Sequence, residues 1–140
     1  MELIIVVLIM GIMAAVAVPS YVDSVCRYRV QASARRLATD LEVARQNAQT
    51  ESIVQTVIFQ PGNHSYSLQG LTSLKGDAYD VQLAKTQYPA SIVSVDFGGD
   101  VQFDYNIFGR PTVGGTVVLE CGGYQKTVRV NAVTGRTTVE

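Results

Sequence analysis

Glu2-Leu3-Ile4-Ile5-Val6-Val7-Leu8-Ile9-Met10-Gly11-Ile12-Met13-Ala14-Ala15-Val16-Ala17-Val18-Pro19-Ser20-Tyr21 is the stretch that decides how the chain is read. From Leu3 to Val18 it is apolar apart from Gly11, and a single acid stands at its head. A carboxylate in bilayer hydrocarbon costs roughly 2.5 kcal/mol or more, so one is normally kept there only where a partner neutralises it. The nearest basic residue in the chain is Arg27, about 37 Å away along a continuous helix at ~1.5 Å per residue. The partner therefore comes from another molecule.

Two plainer readings compete. A secretory signal also carries an apolar run closed by small residues such as Ala15-Val16-Ala17, but it opens with a basic segment, and here an acid holds that place. A simple membrane anchor needs length: about 16 residues make ~24 Å of helix, short of the ~30 Å hydrocarbon core. A few residues ahead of Met1 would make up the difference, and one segment would then serve anchoring and assembly together.

The helical pattern continues past Pro19, which a helix tolerates with a kink and one lost hydrogen bond. Cys26, Val30, Ala34, Leu37, Leu41, Ala44 and Ala48 recur at the spacing of one helical face, with Arg27, Arg35, Gln46 and Gln49 on the other. A helix apolar all round in its first half and amphipathic in its second is built to pack its rear on a globular head. The small alanines of the stripe let a sheet come close. After Thr50 the period changes to that of strands: Ser52 to Gln60, Ser65 to Leu68, Ala90 to Phe97, Val101 to Phe108, Thr116 to Cys121, Thr127 to Val133 and Thr137 to Val139. Pro61-Gly62-Asn63, Gly98-Gly99-Asp100, Gly109-Arg110-Pro111, Gly122-Gly123 and Thr134-Gly135 separate them as short turns that favour antiparallel hairpins. Residues 69–89 show no regular pattern. One helix followed by many strands predicts an α+β fold with an antiparallel sheet head.

The chain has 140 residues, net charge −1 and no Trp, which leaves room for one soluble domain beyond the apolar segment. With a pI near 5.8 there is no general attraction to nucleic acid. Cys26 and Cys121 are too few and too far apart in sequence for a metal site. On the oxidising side of a membrane they are a candidate disulfide closing a loop of ~95 residues, with a stabilisation of about 4 kcal/mol in the chain-entropy treatment. Two separate buried thiols are the alternative.

The N-terminal string resembles the first helix of type IV pilins and type II secretion pseudopilins, which carry an acid at the fifth mature position, a Gly nine residues later and a Pro seventeen residues later. Glu2, Gly11 and Pro19 reproduce both intervals. By that match Met1 takes the fourth mature position, so about three mature residues and a leader peptide would precede it. Leu37-Ala38-Thr39-Asp40-Leu41-Glu42-Val43-Ala44-Arg45-Gln46-Asn47-Ala48 resembles the helix of the GspH/FimT group of minor pilins and pseudopilins. Phe103 to Pro111 and Val128 to Arg136 are similar to that group's late hairpins.

No motif for catalysis is present: no P-loop, no dinucleotide glycine pattern, no HExxH and no CxxC. No catalytic residue, metal or cofactor is expected. His64, beside Pro61-Gly62-Asn63, is expected as a solvent-exposed turn residue. Asp77 and Asp80, like Asp96, Asp100 and Asp104, match no calcium loop and read as polar groups of turns and strand ends. Arg27, Arg29, Arg35 and Arg36 follow the anchor, but Asp23, Asp40 and Glu42 are interspersed, and Arg36 with Asp40 makes an (i, i+4) pair. These arginines are expected on a solvated face or in ion pairs between subunits.

The resemblance implies a structural subunit of a type IV pilus or type II secretion pseudopilus, and no enzyme. It divides the chain into a transmembrane and filament-core helix over 1–26 and a pilin head over 27–140 that includes the second half of the helix. Its partners would be other pilin or pseudopilin subunits, the bacterial inner membrane, and a prepilin peptidase acting on the precursor. The head would lie outside the cytoplasm, in the periplasm or on a cell-surface filament. Glu2 would act in subunit assembly, and Leu3, Val6, Val7, Met10, Gly11, Ala14 and Pro19 in helix packing and membrane contact. A DNA-binding minor pilin for natural transformation is the alternative, because some FimT-like pilins resemble uptake receptors with a Gly-Arg-x-Arg tail. Here the tail is Gly135-Arg136-Thr137-Thr138, which leaves Arg136 as a weak candidate DNA contact.

Overall fold

The computed structural model describes residues 2–73 and 76–140, and the side chains of all of these except residues 16–19. Helix α1 runs unbroken over Glu2–Glu51. Its periodic stripe is the reason it ends in a core: Ala34, Leu37, Leu41, Ala44 and Ala48 are fully buried, Val30 nearly so, and Cys26 half-buried at the edge. Arg35 and Gln46 lie exposed on the opposite face, while Arg27 and Gln49, though exposed, sit on its flank and reach the head. The helix stops at Ser52, whose φ of 54° is left-handed, while the Ile53 amide donates back to the Ala48 carbonyl at 3.2 Å. That six-to-one bond is a Schellman cap, and it delays the first strand.

Eight strands follow: β1 Gln55–Gln60, β2 Ser65–Thr72, β3 Ala78–Gln82, β4 Ser91–Asp96, β5 Gln102–Tyr105, β6 Gly115–Cys121, β7 Tyr124–Val130 and β8 Thr137–Val139. They form two four-stranded antiparallel sheets, ordered β3-β2-β1-β5 and β4-β6-β7-β8. The head is thus α+β, with its sheet divided in two. Helix α1 packs on β6, β7 and β8 of one sheet and on β1 and β5 of the other.

The division changes the reading of two turns. Gly122-Gly123 and Thr134-Gly135 close hairpins, as Pro61-Gly62-Asn63 does through a single 3₁₀ turn. Gly98-Gly99-Asp100 and Gly109-Arg110-Pro111 are tight turns, but they carry the chain from one sheet to the other and back, leaving only bridges between Phe97 and Asp100 and between Tyr105 and Pro111. The cause is aromatic packing between the layers. Phe97, at the end of β4, stacks on Phe59 at 5.6 Å and on Phe103 at 4.3 Å, and Phe103 meets Tyr105 edge to face at 4.9 Å. Aromatic pairs at these separations add to area burial and favour joining the sheets over extending one hairpin. Gly115 makes room for this column: a Cβ there would stand 2.4 Å from the Phe97 ring and 2.2 Å from the Asp96 carbonyl oxygen.

Order also extends into residues 69–89, where β2 continues to Thr72, β3 pairs with it, and Leu83–Lys85 forms a 3₁₀ turn. His64 is not the solvent-exposed turn residue expected. It is half-buried, its Nδ1 accepts from the Ile92 amide at 3.1 Å and its carbonyl accepts from the Leu83 amide at 2.9 Å, so it ties the β1–β2 connection to β4.

Two buried polar groups fasten the helix to the first sheet. The Asp40 carboxylate accepts a 2.5 Å hydrogen bond from the Tyr66 hydroxyl and lies 3.9 Å from the Arg36 guanidinium. Burial first, and then the Asp40 charge, push the Tyr66 hydroxyl far above the usual tyrosine range, which keeps it a donor. Gln55, fully buried, accepts from Asn47 at 3.1 Å and donates to the Gln69 carbonyl. Tyr66→Phe is expected to remove a bond to a charged, buried acceptor at about 1.5–3 kcal/mol, lowering the thermal midpoint of the detergent-solubilised chain by roughly 5–15 °C. An unchanged midpoint would show that Asp40 is satisfied without it.

Candidate assembly surface

Among the described residues, the first turns of α1 are exposed and packed against no part of the head. Leu3, Ile4, Val6, Val7, Leu8, Ile9, Met10, Ile12 and Met13 are exposed, between 51% for Ile9 and 75% for Leu3. The apolar part of the helix has a mean hydropathy of 2.7 with none of that window buried, and it is long and apolar enough to cross a membrane. Exposed apolar area of this extent is rare on soluble monomers and marks a surface that lipid or another protein covers. Leu3, Val7, Met10 and Ala14 fall on one helical face at spacings of 4, 3 and 4. Gly11 adjoins that face with no atom within 4 Å of where a Cβ would sit, a flat place at which another backbone can approach. Pro19 continues the helix; its side chain, like Met1, lies outside what the structure describes.

Glu2 stands in the first helical turn and is exposed. An acid there complements the helix dipole, but among the described residues no basic side chain of the head pairs with it, because the head begins more than twenty residues along. Contacts with the head start where the β6–β7 hairpin and the segment before β4 close on the helix. The Arg27 guanidinium lies over the Tyr124 ring, 4.5 Å from its centroid, and donates to the Tyr124 hydroxyl at 3.3 Å. Tyr28 meets Tyr88 edge to face at 5.4 Å, and the Ser33 hydroxyl donates to the Tyr88 carbonyl at 2.5 Å. Below this collar the described side chains, of residues 2–15 and 20–24, are all exposed.

The structure brings Cys26 to the turn that carries Cys121: both are half-buried free thiols, and a Cβ on Gly122, the residue after Cys121, would lie 2.8 Å from the Cys26 sulfur. The Arg136 side chain is exposed and belongs to a different part of the head. It lines an open cleft of about 560 Å³ with Glu42, Arg45 and Thr137 among others. Arg45 donates to both carboxylate oxygens of Glu42, at 2.5 and 3.0 Å, and these bonds, with Arg136 adding its charge, hold the Glu42 carboxyl below the usual range. The cleft therefore holds one Glu42–Arg45 ion pair with Arg136 near it. Among the described residues, no group of three or more His, Cys, Asp or Glu is placed to hold a metal ion. Asp96 instead caps its own turn, accepting from the Gly99 amide at 3.0 Å.

The collar and the Asp40 site were hidden in the sequence. Arg27 looked like one more solvated base, and Asp40 like half of a surface pair. The signal for Asp40 was its place between Leu37 and Leu41, on the flank of the buried stripe.

Comparison with known proteins agrees with this geometry. The family described as "Type II transport protein GspH" matches residues 33–135. The fold is similar to that of the type IV minor pilin FimU of Pseudomonas aeruginosa in two crystal forms. For the first the TM-score is 0.59 at 15% identity, covering 81% of this chain and 90% of that one. For the second it is 0.56 at 15% identity, covering 79% and 91%. At that identity the likeness is one of fold. No curated protein matches the sequence significantly.

Val7→Lys with Met10→Lys places two charges mid-segment at an insertion cost of roughly 2.5–3.5 kcal/mol each. The variant is expected to leave the membrane fraction on alkaline carbonate extraction while the head keeps its thermal midpoint. Retention equal to the unaltered chain would mean that this segment is not what holds the protein to lipid.

Proposed function

The chain belongs to the GspH family of type II transport proteins, the minor pilins and pseudopilins, and from that membership we propose that it enters a filament through the apolar half of α1. The observation that carries this is the bare rod headed by an acid. A head held rigidly on the rear of α1 presents the front of the same helix to its surroundings, and only lipid or neighbouring helices can cover it without loss.

In the membrane, the segment anchors the subunit with its head outside the cytoplasm. In the filament, neighbouring helices replace lipid against the face of Leu3, Val7, Met10 and Ala14. Glu2 then needs a cation, and the resemblance to pilins supplies one: the N-terminal amine of an adjacent subunit, freed by a prepilin peptidase. An ion pair in this low-dielectric setting gives specificity, because a subunit out of register leaves both charges unpaired. The role is structural, with no chemistry asked of the head.

Glu2→Ala, made in the full-length precursor, is expected to insert and fold normally but to fall by roughly tenfold or more in sheared filaments, since it leaves a partner's buried cation unpaired. Wild-type incorporation would overturn the mechanism. The DNA-receptor alternative predicts a different result. A chain of net charge −1 with a single arginine, Arg136, in the tail is expected to show no gel shift with duplex DNA at ~150 mM salt. Retained binding at that salt would favour the receptor.

A further inference from the structure

The β6–β7 hairpin meets the helix near the lower edge of the head, at Cys26 and Arg27. Cys121 and Tyr124 pair across its two-residue turn, and Gly122 and Gly123 both have positive φ, 58° and 84°. A Cβ on Gly122 would lie 2.8 Å from the Cys26 sulfur and 3.3 Å from the Cys26 Cβ, so only glycine lets the turn close over that side chain. Two successive helix residues thereby meet one turn: Arg27 the Tyr124 ring and hydroxyl, and Cys26 the Gly122 backbone next to Cys121. This is where the helix leaves the head.

We propose that Cys26 and Cys121 form an intramolecular disulfide that fixes the point at which the stalk leaves the head, a covalent strap set beside the Arg27–Tyr124 contact. The oxidant is a disulfide donor. The thiolate of one cysteine attacks a donor sulfur, forming a mixed disulfide and releasing one donor thiolate. The thiolate of the other then attacks the protein sulfur of that mixed disulfide, forming the Cys26–Cys121 bond and releasing the second donor thiolate. Both cysteine protons pass to solvent or to the released thiolates, and the two electrons to the donor. Burial pushes the Cys121 thiol up, with Cys26 adding to the shift and Arg29 opposing it, so the Cys121 thiolate becomes available, and closure through it faster, as pH rises. The strap rests on the proposed function in one respect: a donor acts on the chain in the cell only if the head lies on the oxidising side of the membrane.

Its consequence is mechanical. The stalk carries the subunit while the head meets its neighbours, and any bending between them is concentrated just below the collar. A bond at Cys26 moves that pivot to the exposed residues before it, Ser20 to Ser24.

The test uses the full-length chain in detergent, reduced, freed of reductant and then exposed to oxidised glutathione. Blocking free thiols with N-ethylmaleimide before mass analysis is expected to show a monomer that has lost two hydrogens, takes no label and yields one cross-linked peptide joining the segments of Cys26 and Cys121. Its thermal midpoint is expected to rise by roughly 10–20 °C and to fall again with reductant. Cys26→Ser and Cys121→Ser are each expected to leave one labelled thiol and a midpoint indifferent to reductant. Two labelled thiols in the oxidised sample, or disulfide-linked dimers in place of the internal bond, would overturn the proposal. The same labelling on cells separates the two readings. A bond that forms with glutathione but is absent in cells counts against an oxidising location for the head, whereas failure with glutathione counts against the strap.

Discussion

One stripe of small and medium side chains on α1 has to satisfy two sheets at once. Ala34, Ala44 and Ala48 keep the helix thin where the sheets meet it, and Leu37 and Leu41 fill the space between. A single buried cluster results, running from the helix through Val57, Phe59 and Tyr66 on one sheet to Val117, Leu119, Val128 and Val130 on the other. At the far end of the helix two turns close on it through glycines that admit no side chain. Gly109, with φ of 70°, has Gln49 at 2.8 Å from an ideal Cβ, and Gly135, with φ of 69°, would place a Cβ 2.3 Å from the Gly109 carbonyl oxygen. The Tyr105 hydroxyl and the Gln49 amide complete that end with bonds to Gly135 and Phe108.

Because the stripe begins near Val30, the helix is divided by what its environment demands rather than by any break in its backbone. The polar ties between helix and head lie in its rear half: the buried Asp40–Tyr66 bond and the Arg27–Tyr124 collar at its edge, with the Glu42–Arg45 pair beside them. From Leu3 to Tyr21 the sequence carries no charge, and Glu2 stands alone at the head of that run. A rigid head on a bare rod is the arrangement expected of a subunit that leaves lipid for a bundle of like helices. Lipid tails and leucine side chains are about equally apolar, so close packing and a charge match drive that exchange.

The helix was legible in full because one residue pattern, repeated every three or four positions, carries its own burial. Most strands were legible too, since β-branched runs between glycine turns leave few other conformations. Sheet membership was not. Gly98-Gly99-Asp100 has the composition of a hairpin turn, and only the stacking of Phe97 on Phe59 and Phe103, distant in sequence, sends the chain to the other layer. β3 escaped notice because Ala78-Tyr79-Asp80-Val81-Gln82 is an edge strand with only Val81 buried. His64 escaped because its role depends on the Ile92 amide, a partner that β4 brings from 28 residues away. Of the site residues, Glu2 and the apolar face were visible as a chemical anomaly in one local segment. The meeting of Cys26 and Cys121 depended on the β6–β7 register, which spacing alone does not supply.

The central claim is that neighbouring subunits, and not this chain's own head, cover the apolar rod and neutralise its acid. Electron cryomicroscopy of a filament containing this subunit, processed from its full-length precursor, tests that directly. The account predicts Leu3, Val7, Met10 and Ala14 packed against neighbouring helices, with the Glu2 carboxylate within about 4 Å of a neighbour's N-terminal amine, the range of an ion pair. A subunit held by its head alone, with the rod uncovered or Glu2 facing no cation, would contradict it.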